Sequence, residues 1–208
     1  MKLKIMTLNI NGLNSKKKQH LFFDFIRENN VHVINLQEHN LKDKANLIDM
    51  FYDYYHVFVN ESINLKGGTA TLIDKRITDN IIQVEKSADA RILSIKIVIN
   101  NKRLHFLNIY APSGSKFHQE REDLFKTQIL YYLRNNLSNT ILSGDFNCII
   151  NAKDKTKNGL CPISKSLQTT VNNLKLKDIW NLLNNHIEYT YFRENYGSRI
   201  DRIYAAEL

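Results

Sequence analysis

Cysteine is scarce in this sequence. Only Cys148, in the apolar run CII, and Cys161, in a loop-like stretch, occur among the 208 residues. Neither belongs to a CxxC motif or to a Cys/His pattern with zinc-ligand spacing, so the sequence offers no disulfide framework and no structural zinc site. We expect Cys148 to be a buried thiol and the protein to work in a reducing compartment, the nucleus or the cytoplasm, and not to be secreted.

Long hydrophobic runs are absent as well. No apolar stretch approaches the roughly 20 residues that a membrane-spanning helix needs. The start, MKLKIMTLNING, turns polar after a few apolar residues, unlike a signal peptide. With 43% hydrophobic and 24% charged residues, the chain is expected to form one domain over residues 1–208, as a monomer with no membrane association.

Positive charge is in excess. Lys and Arg number 29 and Asp and Glu 21, so the net charge is 29 − 21 = +8. This surplus favours a polyanionic partner such as nucleic acid. The alternative is that the lysine clusters at 16–18 and at 153, 155 and 157 are simply solvated surfaces.

Periodicity and turn residues predict a mixed α and β architecture. Strands are predicted over 3–10, 31–37, 56–60, 67–74, 91–99, 103–110, 139–150, 188–192 and 198–204. Helices are predicted over 16–29, over about 117–135, and from the end of a polar loop at 151–164 to about 184. The first helix should be amphipathic, with Leu21, Phe22, Phe25 and Ile26 on one face, and 91–110 should form a hairpin joined by residues 100–102. Hairpins mixed with helical crossovers indicate α+β or α/β with mixed sheets.

Four stretches place a carboxylate or an amide where an apolar strand ends. They are TLNING with Asn9 and Asn11, NLQEH with Glu38, SGDFN with Asp145 and Asn147, and SRID with Asp201. Each alone is explained by a turn, a solvated residue or an Asx-type turn. Together, at the ends of successive strands, they suggest that these groups share one pocket at a sheet rim.

Such a set suits metal-assisted phosphoryl chemistry. Mg²⁺ takes oxygen ligands, usually one or two carboxylates completed by waters and phosphate oxygens. A further carboxylate held by an amide can orient and deprotonate water for attack on a phosphodiester. Tyr110, in NIYAPSG, could bring its hydroxyl to the phosphate, although taken alone it is better explained as a core tyrosine.

The segments TLNINGLN, LQEH, LNIYAP, SGDFN and SRIDRI, in this order, resemble the endonuclease domain of LINE-type non-LTR retrotransposons. That domain belongs to the exonuclease–endonuclease–phosphatase superfamily and is related to apurinic/apyrimidinic endonucleases. The resemblance implies a four-layered α/β sandwich, with two mixed β-sheets flanked by helices. It also implies a Mg²⁺-dependent DNA endonuclease, with Mn²⁺ as an alternative ion, that nicks one strand for target-primed reverse transcription.

The resemblance also assigns roles to single residues. It makes Glu38 the main metal ligand with Asn9 beside it, and Asp145 the group that positions or activates water. Asn147 would orient that water or the scissile phosphate, and Tyr110 would contact the phosphate or stabilise the leaving group.

Further positions follow from the same resemblance. Thr190 and Asn108 fall where the family approaches DNA. Asp178 and Trp180 match a DxW element that we expect to be structural.

Asp201 raises a separate question. In the resembled family this aspartate holds a histidine from a later strand, in a Ser-Asp-His motif, and fixes its tautomer and charge. None of the seven histidines follows Asp201. We therefore expect a C-terminally incomplete domain whose last strands are missing. It is either a fragment of a reading frame that continues into a reverse transcriptase or a degenerate element, and its activity as it stands is left open.

Two other functions compete with the endonuclease. One is a phosphatase of the same superfamily that acts on a phosphoinositide or another small phosphoester, which the charge of +8 does not distinguish from a DNA enzyme. The other is a non-catalytic DNA-binding remnant that keeps the basic surface and has lost turnover.

Overall fold

The structure is a computed structural model that describes residues 2–41, 43–61, 67–78, 80–134, 137–157 and 161–206. The chain divides into two compact units, Met1–Tyr110 and Ala111–Leu208, which are described in turn. Within the described residues, none of the helices is both long and apolar enough to span a membrane.

The first unit begins with a four-stranded mixed sheet. Its strands are β1 (Ile5–Asn9), β2 (Val33–Gln37), β3 (Tyr55–Asn60) and β4 (Thr69–Asp74), in the spatial order β1-β2-β4-β3. β1 and β2 run parallel with Asn9 opposite Gln37, and β4 is antiparallel to both β2 and β3. The parallel pair is connected through helix α1 (Lys16–Glu28), and helix α2 (Ala45–Phe51) precedes β3. The parallel pairing sends the chain out of β1 and β2 at the same edge.

Three antiparallel strands complete this unit. They are β5 (Ile81–Lys86), β6 (Ile92–Ile99) and β7 (Lys102–Tyr110). The predicted hairpin is confirmed with a two-residue turn, because Lys102 already belongs to β7. Asn100 and Asn101 both have positive φ, 48° and 63°, as a type I′ turn requires. β5 was not predicted.

Helix α1 buries a narrower face than predicted. Gln19, Phe22 and Ile26 are buried, whereas Leu21 and Phe25 are 61% and 48% exposed. Residues three or four positions apart, such as Gln19, Phe22 and Ile26, lie in one stripe along the helix. Leu21 and Phe25 each precede a residue of this stripe, so they lie about 100° away from it around the helix axis. Phe22 packs edge to face on Phe51 of α2, with ring centroids 5.9 Å apart. The predicted apolar face is thus buried only at Phe22 and Ile26, and its edge at Leu21 and Phe25 is exposed.

Asn108 joins the two sheets of the first unit. It is fully buried in β7, where its Nδ2 donates to the carbonyl oxygens of Leu36 at 3.1 Å and Ala70 at 2.9 Å. Its Oδ1 accepts a hydrogen bond of 2.7 Å from Nε2 of Gln37. A buried amide is costly unless it is paired, so these bonds fix β7 against β2 and β4.

The second unit contains a three-stranded antiparallel arrangement and a separate hairpin. β12 (Asp201–Ala205) pairs with β8 (Thr140–Asp145) on one side and with the short β9 (Lys177–Asp178) on the other. The hairpin consists of β10 (Tyr191–Arg193) and β11 (Tyr196–Ser198).

The helices of the second unit are more broken than predicted. The stretch 117–135 contains α3 (His118–Asp123), a π-helical turn at Leu124–Gln128 and α4 (Ile129–Leu133), and its predicted end at 135 lies outside the described residues. The helix predicted to reach 184 is divided by β9 into α5 (Lys165–Asn173) and α6 (Ile179–Leu183). In the predicted loop 151–164, residues 158–160 lie outside the described residues, and Ala152–Asp154 form a 3₁₀ turn.

Cys148 is buried, as predicted. Burial is the main cause that raises the pKa of its thiol to about 12. The side chain is therefore a packed thiol, and Cys161 is also a free cysteine.

Two arginines and two aspartates form an ion cluster in the second unit. Arg199 contacts Asp154 at 3.2 Å and Asp178 at 2.8 Å, and Arg202 contacts Asp154 at 3.0 Å and Asp178 at 3.2 Å. Asp178 also accepts a hydrogen bond from the backbone N–H of Asn181 at the start of α6. Charges this deep are tolerated because each has two partners of opposite sign. These contacts agree with the structural role expected for Asp178.

The Asp178 carboxylate is stabilised in its charged form. Burial opposes ionisation, but the hydrogen bond and charge of Arg199 and the charge of Arg202 outweigh burial and lower the pKa of Asp178 below its ordinary 3.8. A depressed carboxyl pKa contributes stability above the pKa of the unfolded chain, and that contribution is lost as pH falls through the folded pKa.

We expect Asp178→Asn to lower the free energy of unfolding by about 3 kcal/mol at pH 7, because both guanidinium groups lose a buried carboxylate partner. Urea unfolding at several pH values measures this loss. The difference from the unsubstituted chain should shrink below about pH 4, where Asp178 becomes protonated in the unfolded chain. Asp123→Asn, at an exposed aspartate of the same unit, is the control and should change stability by under about 0.5 kcal/mol. A pH-independent loss for Asp178→Asn would contradict the electrostatic explanation.

His105 provides a second pH-dependent contribution. It is buried in β7, with its Nε2 2.8 Å from the Ser94 hydroxyl oxygen, and burial together with the charge of Lys96 lowers its pKa from 6.5 to about 4. The unfolded chain therefore takes up this proton at a higher pH than the folded chain. Stability is fully present above about pH 6.5 and decreases as pH falls towards 4.

We expect His105 to account for up to about 3 kcal/mol of the stability that is lost between pH 6.5 and pH 4. His105→Gln should flatten the plot of unfolding free energy against pH over this interval, as measured by chemical denaturation. His20→Gln, at an exposed histidine of α1, should leave the slope unchanged. Equal slopes for all three chains would show that His105 is not the group responsible.

Candidate active site

Asn9 and Glu38 meet where the two parallel strands end. Asn9 is the last residue of β1, and Glu38 directly follows β2. The Asn9 Nδ2 donates a hydrogen bond of 2.9 Å to Oε1 of Glu38, and the Asn9 Oδ1 accepts one of 3.1 Å from the backbone N–H of Asn11. Both side chains are half-buried. The structure therefore brings together the two residues predicted to bind the metal.

The backbone of Glu38 adopts a left-handed conformation. Its φ is +52°, which costs a non-glycine residue about 1–3 kcal/mol and persists only where surrounding contacts enforce it. Here the carbonyl oxygen of Glu38 accepts a hydrogen bond from Gly12, and that of His39 accepts one from Leu13, at 2.6 and 2.8 Å. The chain that leaves β1 thus holds the turn that presents the Glu38 carboxylate.

His39, the next residue of the same turn, is fully buried, whereas Glu38 is half-exposed. Its Nδ1 accepts a hydrogen bond from the backbone N–H of Leu41, so its Nε2 carries the hydrogen and donates to the carbonyl oxygen of Asn60; both distances are 3.1 Å. Burial lowers the pKa of His39, and the bond to Asn60 opposes that effect only partly. The sequence alone assigned this histidine no functional role.

Tyr110 ends β7 and lies against a glycine. A Cβ atom at Gly67 would lie 3.1 Å from Cε1 of Tyr110, so the ring occupies the space that a side chain would need. Gly67 in turn exchanges hydrogen bonds with Asn40, two residues beyond Glu38. The guanidinium of Arg91 lies 5.4 Å from the Tyr110 ring centroid. Arg91 is a cation beside the predicted phosphate contact, and no motif in the sequence pointed to it.

Asn108 does not lie at the surface. The family resemblance places it where DNA approaches, but its side chain is fully buried and makes the hydrogen bonds to Leu36, Ala70 and Gln37 described above. Nucleic acid cannot reach this amide while those bonds hold. Its position therefore favours a role in joining the sheets.

In the second unit, Asp145 and Asn147 form a compact turn after β8. The backbone N–H of Asn147 donates to Oδ1 of Asp145 at 2.8 Å, and the Asn147 Nδ2 donates to Oδ2 of Asp145 at 3.3 Å and to the carbonyl oxygen of Ala111 at 2.9 Å. Asn147 has a φ of +47°. The Asx-type turn considered from the sequence is present, and it orients the Asp145 carboxylate.

Asp201 and Thr190 lie beside this turn. Asp201 is paired with Asp145 in the antiparallel register of β8 and β12. The Thr190 hydroxyl oxygen accepts hydrogen bonds from the backbone N–H groups of Ile200 and Asp201, at 3.2 and 3.1 Å. Thr190 is exposed, and its contact with DNA stays a prediction. Its hydroxyl also holds the start of β12.

The donors at the end of β1 and β2 fit a hard cation. A glutamate carboxylate and an asparagine amide supply oxygen ligands, and Mg²⁺ or Mn²⁺ completes such a shell with waters and phosphate oxygens. Among the residues that the structure describes, no group of three or more His, Cys, Asp or Glu side chains is placed to hold a metal. Oxygen donors such as those of Glu38 and Asn9 fit Mg²⁺ better than zinc, which takes nitrogen and sulfur ligands in closed sites.

Similar proteins include a transposon protein and DNA-processing enzymes. The uncharacterized 149 kDa protein of transposon TX1 from Xenopus laevis is 26% identical over 211 residues, which cover 98% of this chain but only 16% of that protein. The AP endonuclease LMAP from Leishmania major aligns with a TM-score of 0.80 and 18% identity, over 98% of this chain and 79% of that chain. The 3′ phosphatase NExo from Neisseria, bound to a product DNA hairpin, aligns with a TM-score of 0.78 and 18% identity, over 99% and 87% of the two chains.

These likenesses confirm the predicted fold class, an α+β sandwich with two mixed sheets flanked by helices. The family model for the Endonuclease/Exonuclease/phosphatase family matches residues 6–207. This match confirms the predicted relationship to the exonuclease–endonuclease–phosphatase superfamily. It also confirms the prediction that the chain is an enzyme of the phosphodiesterase and nuclease class. With nearly its whole length matched, this chain belongs to the endonuclease/exonuclease/phosphatase family.

Proposed function

We propose that the chain is a Mg²⁺-dependent DNA endonuclease that nicks one strand by hydrolysing a phosphodiester bond. The observation that carries this proposal is the contact between Asn9 and Glu38, where a carboxylate is held in a left-handed turn beside an amide. Backbone strain at a carboxylate is typical of functional sites, because the rest of the fold must stabilise it. Family membership and the transposon relative support the same conclusion.

In this mechanism Glu38 and Asn9 hold the metal ion. When bound, such an ion neutralises charge on the phosphate and stabilises the leaving oxygen. Asp145, whose carboxylate is oriented by the Asn147 backbone, positions the attacking water and accepts its proton. The Asn147 amide orients the water or the scissile phosphate.

The remaining residues act on the phosphate and on proton transfer. Tyr110 contacts the phosphate through its hydroxyl or stabilises the leaving group, with the Arg91 guanidinium beside its ring. Asp201 is paired with Asp145 across the strands, so a second carboxylate lies beside the one that positions the water.

DNA is the proposed substrate, and Thr190 the proposed DNA contact. The net charge of +8 suits a polyanion. The chain spans 16% of the length of the transposon protein that it resembles. We therefore also propose that the nuclease works within a longer protein that carries a reverse transcriptase, in the nucleus or the cytoplasm, and that its nick primes DNA synthesis.

Nicking of supercoiled plasmid DNA by the 208-residue chain tests this function. We expect nicking with Mg²⁺ or Mn²⁺ and none with EDTA. Glu38→Gln and Asp145→Asn should each lower the nicking rate by about 100-fold or more, because each removes a charged group from the reaction. Asp123→Asn, at an exposed aspartate, is the matched control and should nick at the unsubstituted rate.

The same preparation distinguishes the two competing functions. A folded chain that binds plasmid with a steep salt dependence but never nicks it would be a DNA-binding remnant. A chain that releases phosphate from a phosphoinositide in a Glu38-dependent reaction, and leaves plasmid intact, would be a phosphatase. Either result would overturn the endonuclease.

A further inference from the structure

We propose that His39 is a positioning residue for Glu38. Its imidazole anchors the turn after β2 to the end of β3, and this anchor keeps the left-handed Glu38 in the orientation that binds the metal ion. The inference rests on the proposed function, in which Glu38 is the metal ligand.

The backbone of the turn is held from one side by the segment after β1. Gly12 and Leu13 donate hydrogen bonds to the carbonyl oxygens of Glu38 and His39. On the opposite side the side chain of His39 reaches the carbonyl oxygen of Asn60, the last residue of β3, at 3.1 Å. The turn that carries Glu38 is therefore fixed between β1 and β3.

Asn60, which accepts the hydrogen bond from His39, is itself held by hydrogen bonds of its side chain. The Asn60 side-chain Nδ2 donates to the carbonyl oxygens of Ile92 at 3.0 Å and Ser87 at 3.2 Å. Asn60 is buried, so breaking these bonds would leave polar groups unpaired. The imidazole thus binds to a fixed point of the sheet, and this limits how far Glu38 can move.

Gly68 makes the space in which the imidazole fits. A Cβ atom at Gly68 would lie 2.3 Å from Nε2 and 2.6 Å from Cε1 of His39. Real Cβ atoms do not approach other atoms so closely, so any side chain at this position would displace the ring. His39 and Gly68 therefore form a fitted pair behind Glu38.

Binding of Mn²⁺ to the whole chain, measured by electron paramagnetic resonance or calorimetry, tests the proposal without relying on turnover. His39→Asn keeps an acceptor for the Leu41 N–H but is too short to reach Asn60, and we expect its Mn²⁺ affinity to fall about tenfold, as for other residues that orient a metal ligand. His39→Gln places a donor near the position of Nε2 and should recover most of that affinity.

Two glycines provide a matched comparison. Gly68 and Gly114 have nearly equal φ values of +84° and +85°, but in the described part of the chain no heavy atom other than those of its neighbours in sequence lies within 4 Å of a Cβ built at Gly114. Both Gly68→Ala and Gly114→Ala place a side chain at a positive φ, and only the Cβ of Gly68→Ala overlaps the ring of His39. We expect weaker Mn²⁺ binding for Gly68→Ala alone.

A second control separates positioning from stability. His105→Gln alters another buried histidine of the same unit, whose Nε2 lies 2.8 Å from the Ser94 hydroxyl oxygen on the neighbouring strand β6. It should lower the melting temperature without changing Mn²⁺ affinity. If His105→Gln weakens Mn²⁺ binding as much as His39→Asn does, the effect is general destabilisation and the proposal fails.

Glu38→Gln shows which idea has failed. In one outcome, the unsubstituted chain binds Mn²⁺ and Glu38→Gln abolishes this binding, but folded His39→Asn and Gly68→Ala chains bind as tightly as the unsubstituted one. This outcome overturns the positioning role of His39 and leaves the metal site in place. If Glu38→Gln binds Mn²⁺ unchanged, Glu38 is not the ligand and both proposals fall.

Discussion

The first unit depends on one buried amide. Asn108 has no access to water, so its hydrogen-bonding groups must be satisfied within the protein, and they are satisfied by β2 and β4. These hydrogen bonds fix the position of β7 relative to β2 and β4. Gln37, one of its partners, directly precedes Glu38, and Tyr110 follows Asn108 by two residues on the same face of β7. The hydrogen bonds of Asn108 therefore help to position the strand ends that carry Glu38 and Tyr110.

Several elements could be predicted from the sequence because their cause is local. The hairpin of β6 and β7 follows from alternating apolar residues and from two asparagines that accept positive φ. Other features depend on what surrounds a segment. The exposure of Leu21 and Phe25 is decided by which stripe of α1 meets α2, and the division of the last helix by β9 requires β12 as its partner. The π-helical turn between α3 and α4 leaves no recognisable pattern in the residues themselves.

The candidate site likewise combines residues that the sequence could identify with contacts that it could not. Asn9, Glu38, Asp145, Asn147 and Asp201 could be named because their types occur in recognisable order at strand ends. The contacts of His39 with Asn60 and Gly68 could not, since these residues are more than 20 positions apart along the chain. Asn108 was misjudged for a related reason: a motif shows that a position matters, but only burial shows whether a side chain can meet a ligand or must satisfy its neighbours.

Asparagine takes the place that glycine has in many other proteins. The left-handed turns include Asn11, Asn30, Asn40, Asn100, Asn101, Asn139 and Asn147, in a chain with only seven glycines. Asparagine tolerates this conformation better than most residues, yet its side chain restricts the unfolded chain more than glycine would. Each of these turns therefore loses less conformational entropy on folding than a glycine turn does. The loops that frame the candidate site are stabilised in this way through the unfolded chain, without any additional contact in the folded protein.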